Sequence, residues 1–351
     1  MAEPLVSVVV RSMARPMLGR ALDSLAQQDY AGIEVVIANA FGPGHPPVPN
    51  HAGRHPIRFV ESDRRLSRPE AANAGQDAAN GDWITFLDDD DTVLPHHISG
   101  LVTAASRAGD ARLIHSYALV ILGDGRTQQF GHPSAMIELY RFNYISMATS
   151  LWSRTLLDLG VRFDPNCTTQ EDWDFFLQCG QHTRFHFEPL RTLHYYADDG
   201  ESGTWGGNNL DAEQIRRMVE YVHRKWQPYR DRLVETVRPL LQRAAACALQ
   251  NDFDGTRTLL DQVFAVSQSD PFGLSILATI ERAAGRLDAA EAAQRLATEI
   301  RPRDHRMVYD LAVILRERGD VVSARKCAQY ALQLAPTFAP ARSFFATLQP
   351  I

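Results

Sequence analysis

The stretch Trp83-Ile84-Thr85-Phe86-Leu87-Asp88-Asp89-Asp90-Asp91 constrains this chain more than any other. A run rich in aromatic and β-branched residues reads as a short buried strand, and four successive carboxylates follow it with no basic residue among them. Like charges this close raise one another's pKa, so the run calls for something positive, most economically a bound cation. In an extended chain Asp88 and Asp90 share a face, roughly 7 Å apart. A purely oxygen donor set suits Mg2+ or Mn2+ rather than zinc, with substrate phosphates completing the coordination. The competing reading is a solvated turn whose last acids cap a helix after Pro95. Position favours the ligand site, because open α/β sheets bind ligands at the carboxyl ends of their strands.

The chain before this run supplies such a sheet. Residues 5–10 are a β-branched run suited to a buried parallel strand. It breaks into Arg11-Ser-Met-Ala-Arg15-Pro16, and Pro16 suits the first turn of a helix with Leu18, Ala21, Leu22 and Leu25 at helical spacing. Residues 33–37 form a second strand, followed by Asn39 and a Gly/Pro-rich loop, and residues 57–60 a third. Strand, helix and strand in this order make a right-handed βαβ unit. Ser67 and Glu70 form a capping box, with Pro69 in the first turn, for the helix that leads to the acidic strand.

At 351 residues the chain is long enough for two cored domains, and a net charge of −6 argues against nucleic acid as its principal partner. Lysine occurs only at 225 and 326, so nearly all positive charge is arginine. Cys167, Cys179, Cys247 and Cys327 contain no Cys-x-x-Cys pair, which argues against a zinc site or a disulfide framework and for a reduced, cytoplasmic setting. No apolar run approaches the roughly 20 residues of a membrane span, so any membrane association expected is peripheral, at the inner face.

In order, Val6-Ser-Val-Val-Val10, Arg15-Pro16, Asp23-Ser-Leu-Ala-Gln27-Gln28, Ile33-Glu-Val-Val-Ile37, Asn73-Ala-Gly75 and Phe86-Leu-Asp-Asp-Asp-Asp91 resemble the nucleotide-sugar half of a family 2 glycosyltransferase of GT-A fold. The likeness continues through Thr149-Ser150-Leu-Trp-Ser-Arg154, Gly160-Val-Arg-Phe-Asp164 and Gln170-Glu171-Asp172-Trp173-Asp174, and spans roughly residues 5–205. It implies an α/β domain with a mostly parallel, Rossmann-like sheet. It further implies a nucleoside diphosphate sugar donor, a UDP-sugar foremost, whose diphosphate is bridged by Mn2+ or Mg2+. By resemblance Asp90 is the direct metal ligand, Asp88 lies near the metal or ribose with Asp89 beside it, and Asp91 supports. Asp172 would be the general base on an acceptor hydroxyl, with Glu171 or Asp174 as alternatives, in a single displacement that inverts the anomeric carbon.

Arg11, Arg15 and Arg68 border the same mouth as candidates for the diphosphate or base. Many relatives carry a base-reading Asp after the second strand, where this chain has Ala38-Asn39-Ala40; Asn39 can still hydrogen-bond a base. A family His downstream corresponds either to His194, as a metal ligand, or to Asp198 or Asp199.

After Trp205 the composition turns helical. Gly285-Arg-Leu-Asp-Ala-Ala290, with Ala297 and Pro302, recurs 34 residues later as Gly319-Asp-Val-Val-Ser-Ala324, with Ala331 and Pro336. A weaker copy starts at Asn251-Asp-Phe253. The pattern resembles tetratricopeptide repeats, and three copies make a short solenoid. The expected organisation is a catalytic domain over 1–210, a helical linker over 211–240 and a repeat domain over 241–351. Two uses stay open for the repeats: a brace or self-association surface, and a groove for a protein partner or acceptor. The acceptor itself would be a glycan, lipid-linked or protein hydroxyl. Two rival functions are an impaired catalytic domain serving as an adaptor and a nucleotidyltransferase; the latter leaves the Glu171-Asp172 motif unexplained.

Overall fold

The computed structural model describes residues 3–133, 135–197 and 212–348. Its contacts divide the chain into two units, residues 1–132 with 142–226 and residues 133–141 with 227–351.

The first unit is built on a ten-stranded sheet. Its strands are β1 (Val6–Ser12), β2 (Ile33–Asn39), β3 (His51–Ala52), β4 (His55–Val60), β5 (Trp83–Asp88), β6 (Thr92–Val93), β7 (Leu113–Ile121), β8 (Thr127–Phe130), β9 (Ser150–Ser153) and β10 (Phe185–Tyr196). The order is β3-β4-β2-β1-β5-β9-β7-β10-β6, with β8 on β7. All seven residues of β1 are buried, the polar Ser7, Arg11 and Ser12 included, as a strand covered on both faces requires. β4, β2, β1 and β5 run parallel, the arrangement expected of the βαβ unit. The other half is mixed: β9 is antiparallel to β5 and β7, β10 is parallel to β7, and β6 and β8 are antiparallel to β10 and β7, respectively.

Helices α1 (Leu18–Ala26), α2 (Arg68–Ala78) and α3 (His97–Arg107) pack on this sheet. The capping box of α2 is present, Glu70 accepting from Ser67 N–H at 2.8 Å and from Ser67 Oγ at 2.7 Å. Gly75 lets α2 lie directly on β1, because a Cβ there would stand 2.3 Å from Val9 Cγ1. Asn73, two residues earlier, both donates to Phe163 O at 2.9 Å and accepts from Phe163 N–H at 3.0 Å. The Asn-Ala-Gly motif is therefore a packing device.

The short α4 (Met136–Leu139) belongs to the second unit, whereas α5 (Thr155–Asp158) and α6 (Glu171–Cys179) belong to the first. Aromatic packing sets the head of α6 beside the end of β5. Phe86, two residues before Asp88 and on its face, stacks on Trp152 at 5.3 Å and meets Phe163 at 5.7 Å; Phe163 lies flat on Phe175 of α6 at 4.2 Å. Each such pair is worth about 0.5–1.5 kcal/mol beyond the area it buries.

The expected linker over 211–240 is not a separate segment. It is the larger part of one helix, α7 (Ala212–Leu249), 38 residues long with Pro228 and Pro239 inside it. Its first part belongs to the first unit and the rest to the second. Three helix pairs follow in the second unit: α8 (Phe253–Val266) with α9 (Pro271–Ala283), α10 (Leu287–Ile300) with α11 (His305–Glu317), and α12 (Val321–Leu334) with α13 (Ala339–Thr347). First and second helices alike begin every 34 residues. Each first helix is entered through a left-handed residue at the same repeat position, Asn251 (φ 58°), Gly285 (φ 74°) and Gly319 (φ 88°). Ala290, Ala297, Ala324 and Ala331 are fully buried, as small residues at close helix crossings should be. No helix among the described residues is long and apolar enough to cross a membrane.

Candidate active site

Arg11 faces Asp88 across the β1–β5 pairing. Its guanidinium donates to Asp88 Oδ1 at 2.7 and 3.1 Å and to Glu171 Oε1 at 2.7 Å, tying the ends of two strands to the head of α6. Burial alone would raise both carboxyls. The Arg11 and Arg68 charges outweigh it and hold both below the usual carboxylate range.

The chain turns after β5, with Asp91 N–H donating to Asp88 O, and this gives the remaining acids different surroundings. Asp89 accepts from Met13 N–H at 2.8 Å and from Arg15 at 2.9 Å, yet burial still raises its pKa. Asp90 accepts from Arg15 at 2.8 Å, and burial together with the Asp88 charge pushes it up to about 6. Asp91, 2 % exposed, is turned toward β10 and accepts from Tyr196 N–H at 3.1 Å; burial and the Asp90 and Asp88 charges raise it well above the usual range.

Asp88, Asp89 and Asp90 share a cavity of about 380 Å³ with Arg11, Arg15, Arg65 and Arg68, and Ser67, Thr168 and Tyr195 complete its polar lining. Four guanidinium groups against three carboxylates suit it to a polyanion that brings its own counterion. Asp88 uses Oδ1 for Arg11 and Asp90 uses Oδ2 for Arg15, so each keeps a second oxygen for a cation. Among the described residues Asp88–Asp91 do not converge into a cage of three or more protein ligands. The residues therefore fit a hard cation held by one or two carboxylates and completed by phosphate oxygens, the usual habit of Mg2+.

The three acids of the first turn of α6 have three different fates. The turn follows Gln170, a non-glycine residue in the left-handed region at φ 60°. Glu171 is spent on Arg11 and lies 3.6 Å from Arg68. Asp172 accepts from Trp173 N–H at 2.7 Å and from Asn143 Nδ2 at 3.0 Å; burial and the Glu171 charge push it up to about 7. Asp174, fully buried, accepts from Trp226 Nε1 at 2.7 Å, Gln178 Nε2 at 2.7 Å and Lys225 Nζ.

Asp174 also lies close to Asp164 and Cys167, with ligand atoms within 4.8 Å of one another. Lys225 already fills that space, 2.6 Å from Asp164 and 2.9 Å from Asp174. Burial and the two carboxylate charges push the Cys167 thiol up to about 12, so it stays protonated and is a poor ligand. This second cluster is a structural anchor.

The structure thus brings Arg11, Arg15, Arg68, Asp88, Asp89 and Asp90 to one cavity, with Glu171 bonded to its wall. Asn39 is placed differently from the expectation: Nδ2 donates to Gly42 O at 3.0 Å and Oδ1 accepts from Gly42 N–H at 2.9 Å, so its amide closes a turn. His194 does not line the cavity; Tyr195 does, and adjacent residues of a strand face opposite ways. Asp198 and Asp199 lie outside the described residues. Sequence reasoning missed Arg65, Tyr195 and Asn143, along with Arg20, which donates to Asp90 O at 2.6 Å and covers the Tyr196 ring. Arg65 could have been found from its position just before the cap of α2; nothing local marks Asn143.

Residues 7–155 match the family described as glycosyl transferase family 2. An uncharacterized glycosyltransferase of Bacillus subtilis, YwdF, is 26% identical over 228 residues, 62% of this chain and 82% of that one. The succinoglycan biosynthesis protein ExoO of Rhizobium meliloti is 34% identical over 109 residues, 31% of each chain. Among solved structures, S. aureus TarS 1–349 in complex with UDP-GlcNAc is 14% identical at a TM-score of 0.48, covering 90% of this chain and 92% of that one. The ordered motifs, the sheet that carries them and the match agree: residues 7–155 of this chain match a glycosyl transferase family 2 domain, carried on an α/β sheet.

Proposed function

We propose that the chain transfers a sugar from a nucleoside diphosphate sugar, a UDP-sugar in the first instance, to a hydroxyl of a glycan, lipid-linked or protein acceptor, with inversion. The observation that carries the reading is an arginine-walled cavity floored by Asp88–Asp90, paired with one nearby carboxyl, Asp172, that titrates near neutrality. The arginines bind and orient the diphosphate. A divalent ion held by Asp90, with Asp88, would supply charge stabilisation to the departing diphosphate.

Asp172 takes the proton of the acceptor hydroxyl. The acceptor oxygen bonds to the anomeric carbon as the bond from that carbon to the diphosphate oxygen breaks, and a single displacement inverts the configuration. A base with a pKa near 7 is ionised in useful proportion at neutral pH and still has driving force to accept a proton. Glu171 is ill suited to the task, since the Arg68 and Arg11 charges hold it ionised and paired. The Asn39 amide is committed to Gly42, so its neutrality is no argument for an impaired domain serving as an adaptor.

The test is Asp172→Asn. Calorimetry with UDP and Mn2+ should find nucleotide binding intact while sugar transfer is lost. Transfer at the unmodified rate would remove Asp172 from the mechanism.

A further inference from the structure

Arg11 and Arg15 line the same cavity and are committed to it in different degrees. Arg11 spends three nitrogens on Asp88 and Glu171. Arg15 makes both of its carboxylate contacts through one nitrogen, Nη1, which donates to Asp89 Oδ1 at 2.9 Å and to Asp90 Oδ2 at 2.8 Å. Its Nε is buried and has no acceptor among the described residues. A guanidinium offers five donors in a planar fork, and a buried donor left unused is costly. Arg15 is therefore held by charge more than by fit. A diphosphate, which presents several oxygens to the fork at once, suits it better than the two separate carboxylates do.

The carboxylates do not need Arg15 to keep their places. Asp89 accepts from Met13 N–H at 2.8 Å through its other oxygen, and Arg20 holds Asp90 by its carbonyl at 2.6 Å. The backbone beside Arg15 is fixed as well. Ala14 is a non-glycine residue in the left-handed region at φ 60°, its N–H donating to Ser12 Oγ at 3.2 Å, and Pro16 restricts Arg15 from the other side. Side-chain torsions alone can thus carry the guanidinium from Asp90 into the cavity. While it stays, a cation on the remaining oxygen of Asp90 would lie close to a second positive charge, and the two repel.

On the reading of Asp90 as the carboxylate that holds the cation, we propose that Arg15 occupies the cation's place at Asp90 until a diphosphate draws the guanidinium away. Either ligand alone must break the Arg15–Asp90 pair; when both bind, it is broken once. The pair therefore appears as a coupling between nucleotide and cation, equal in both directions. Arg15 keeps a bare cation out and admits it together with the diphosphate.

Calorimetry on the full chain tests this with UDP and Mn2+, each titrated alone and in the presence of the other, after allowance for the complex the two form in solution. The ratio of a ligand's two affinities is the coupling factor. In Arg15→Gln, Mn2+ alone should bind about five- to tenfold tighter and the coupling factor should fall by the same ratio, at the lower end of such couplings. The part of the factor that comes from direct contact between cation and phosphate should remain. Arg15→Lys, which keeps the charge but not the fork, should fall between. An undiminished factor in Arg15→Gln, or in Arg15→Lys should the first not fold, overturns the proposal and leaves the cation at Asp90 standing. UDP affinity that ignores Mn2+ in the unmodified chain yet answers to it in Arg15→Gln overturns it too, since Arg15 then fills the cation's place permanently. The reading of Asp90 is judged by Asp90→Asn: Mn2+ binding unaltered by that substitution withdraws the reading, and the exchange with it.

Discussion

Asp172 and Asp174 are two residues apart on one helix and belong to acid clusters built on opposite principles. Around Asp174, the chain supplies its own neutralising groups: Lys225 bridges Asp174 and Asp164, Trp226 and Gln178 donate to the former, and Tyr221 donates to the latter at 2.8 Å. Those contacts outweigh burial and draw Asp164 down to about 2. Around Asp88–Asp91 and Asp172 the arginines neutralise only part of the charge, and burial leaves Asp90 near 6 and Asp172 near 7. Counting acids would rank the clusters alike, and metal-ligand spacing alone would favour Asp164, Cys167 and Asp174. Unbalanced buried charge beside a cavity distinguishes the candidate site from the anchor.

The contrast breaks first at Asp172. Asp172→Asn should lower transfer by roughly a hundred- to ten-thousandfold, the usual worth of a general base. It should also raise stability at alkaline pH. The folded carboxyl titrates near 7 and the unfolded one near the ordinary value, so between the two the folded state binds more protons and stability falls as pH rises. The asparagine does not titrate, and its advantage in melting temperature should grow from pH 5 to pH 8. An equal loss of stability at both pH values would contradict the environment described for this carboxyl.

Lys225→Met tests the other cluster. It leaves Asp174 buried without its cation, which for a fully buried pair costs about 3–5 kcal/mol. Lys225 is 32% exposed, so solvent screening reduces the expectation to roughly 2 kcal/mol, or about 4–8 °C in melting temperature. Calorimetric affinity for UDP with Mn2+ should not change; if it falls, the two clusters are one site. Asp90→Asn should do the opposite, weakening Mn2+-dependent UDP binding by about tenfold, or 1.4 kcal/mol, while the melting temperature holds. Binding that ignores the metal in both proteins would leave the arginines as the whole of the diphosphate site.

The parallel half of the sheet was legible because β1 and β2 are continuous apolar runs that only a strand covered on both faces explains. The mixed half was not. β9 has four residues, and β10 carries Pro189 within the first of its two register shifts, so neither shows clean alternation. The repeats were legible because a 34-residue period survives substitution at single positions, even Asn251 in place of glycine. The expected division at residue 240 falls inside α7, which continues through both Pro228 and Pro239 although proline ordinarily ends or kinks a helix. The site showed the same limit. Residue types named Arg11, Arg15, Arg68 and the acids, but not that the Asn39 amide closes a turn on Gly42 or that Asp91 accepts from Tyr196 N–H, 105 positions away. Asn143 reaches Asp172 across 29 positions of sequence with no motif of its own.

The smallest effects give the sharpest form of the comparison, because one hydrogen bond can be removed from each cluster. Tyr221→Phe deletes the hydroxyl that donates to Asp164 and keeps the ring, while Lys225 and Asn166 N–H still hold the carboxylate. The loss should be about 1.5 kcal/mol of stability, the lower end for a hydrogen bond to a charged group, with transfer unchanged. Asn143→Ala deletes the donor to Asp172, a carboxyl already balanced between its two protonation states. There the protein can answer by protonating the acid, so stability should barely move while the pH at which transfer reaches half its maximum shifts upward. Melting curves and pH–rate profiles of the two variants therefore separate a carboxylate held to stabilise the fold from one held ready to react. Equal stability losses with unshifted profiles would mean that the two clusters are the same kind of structure, and that Asp172 is one more anchor.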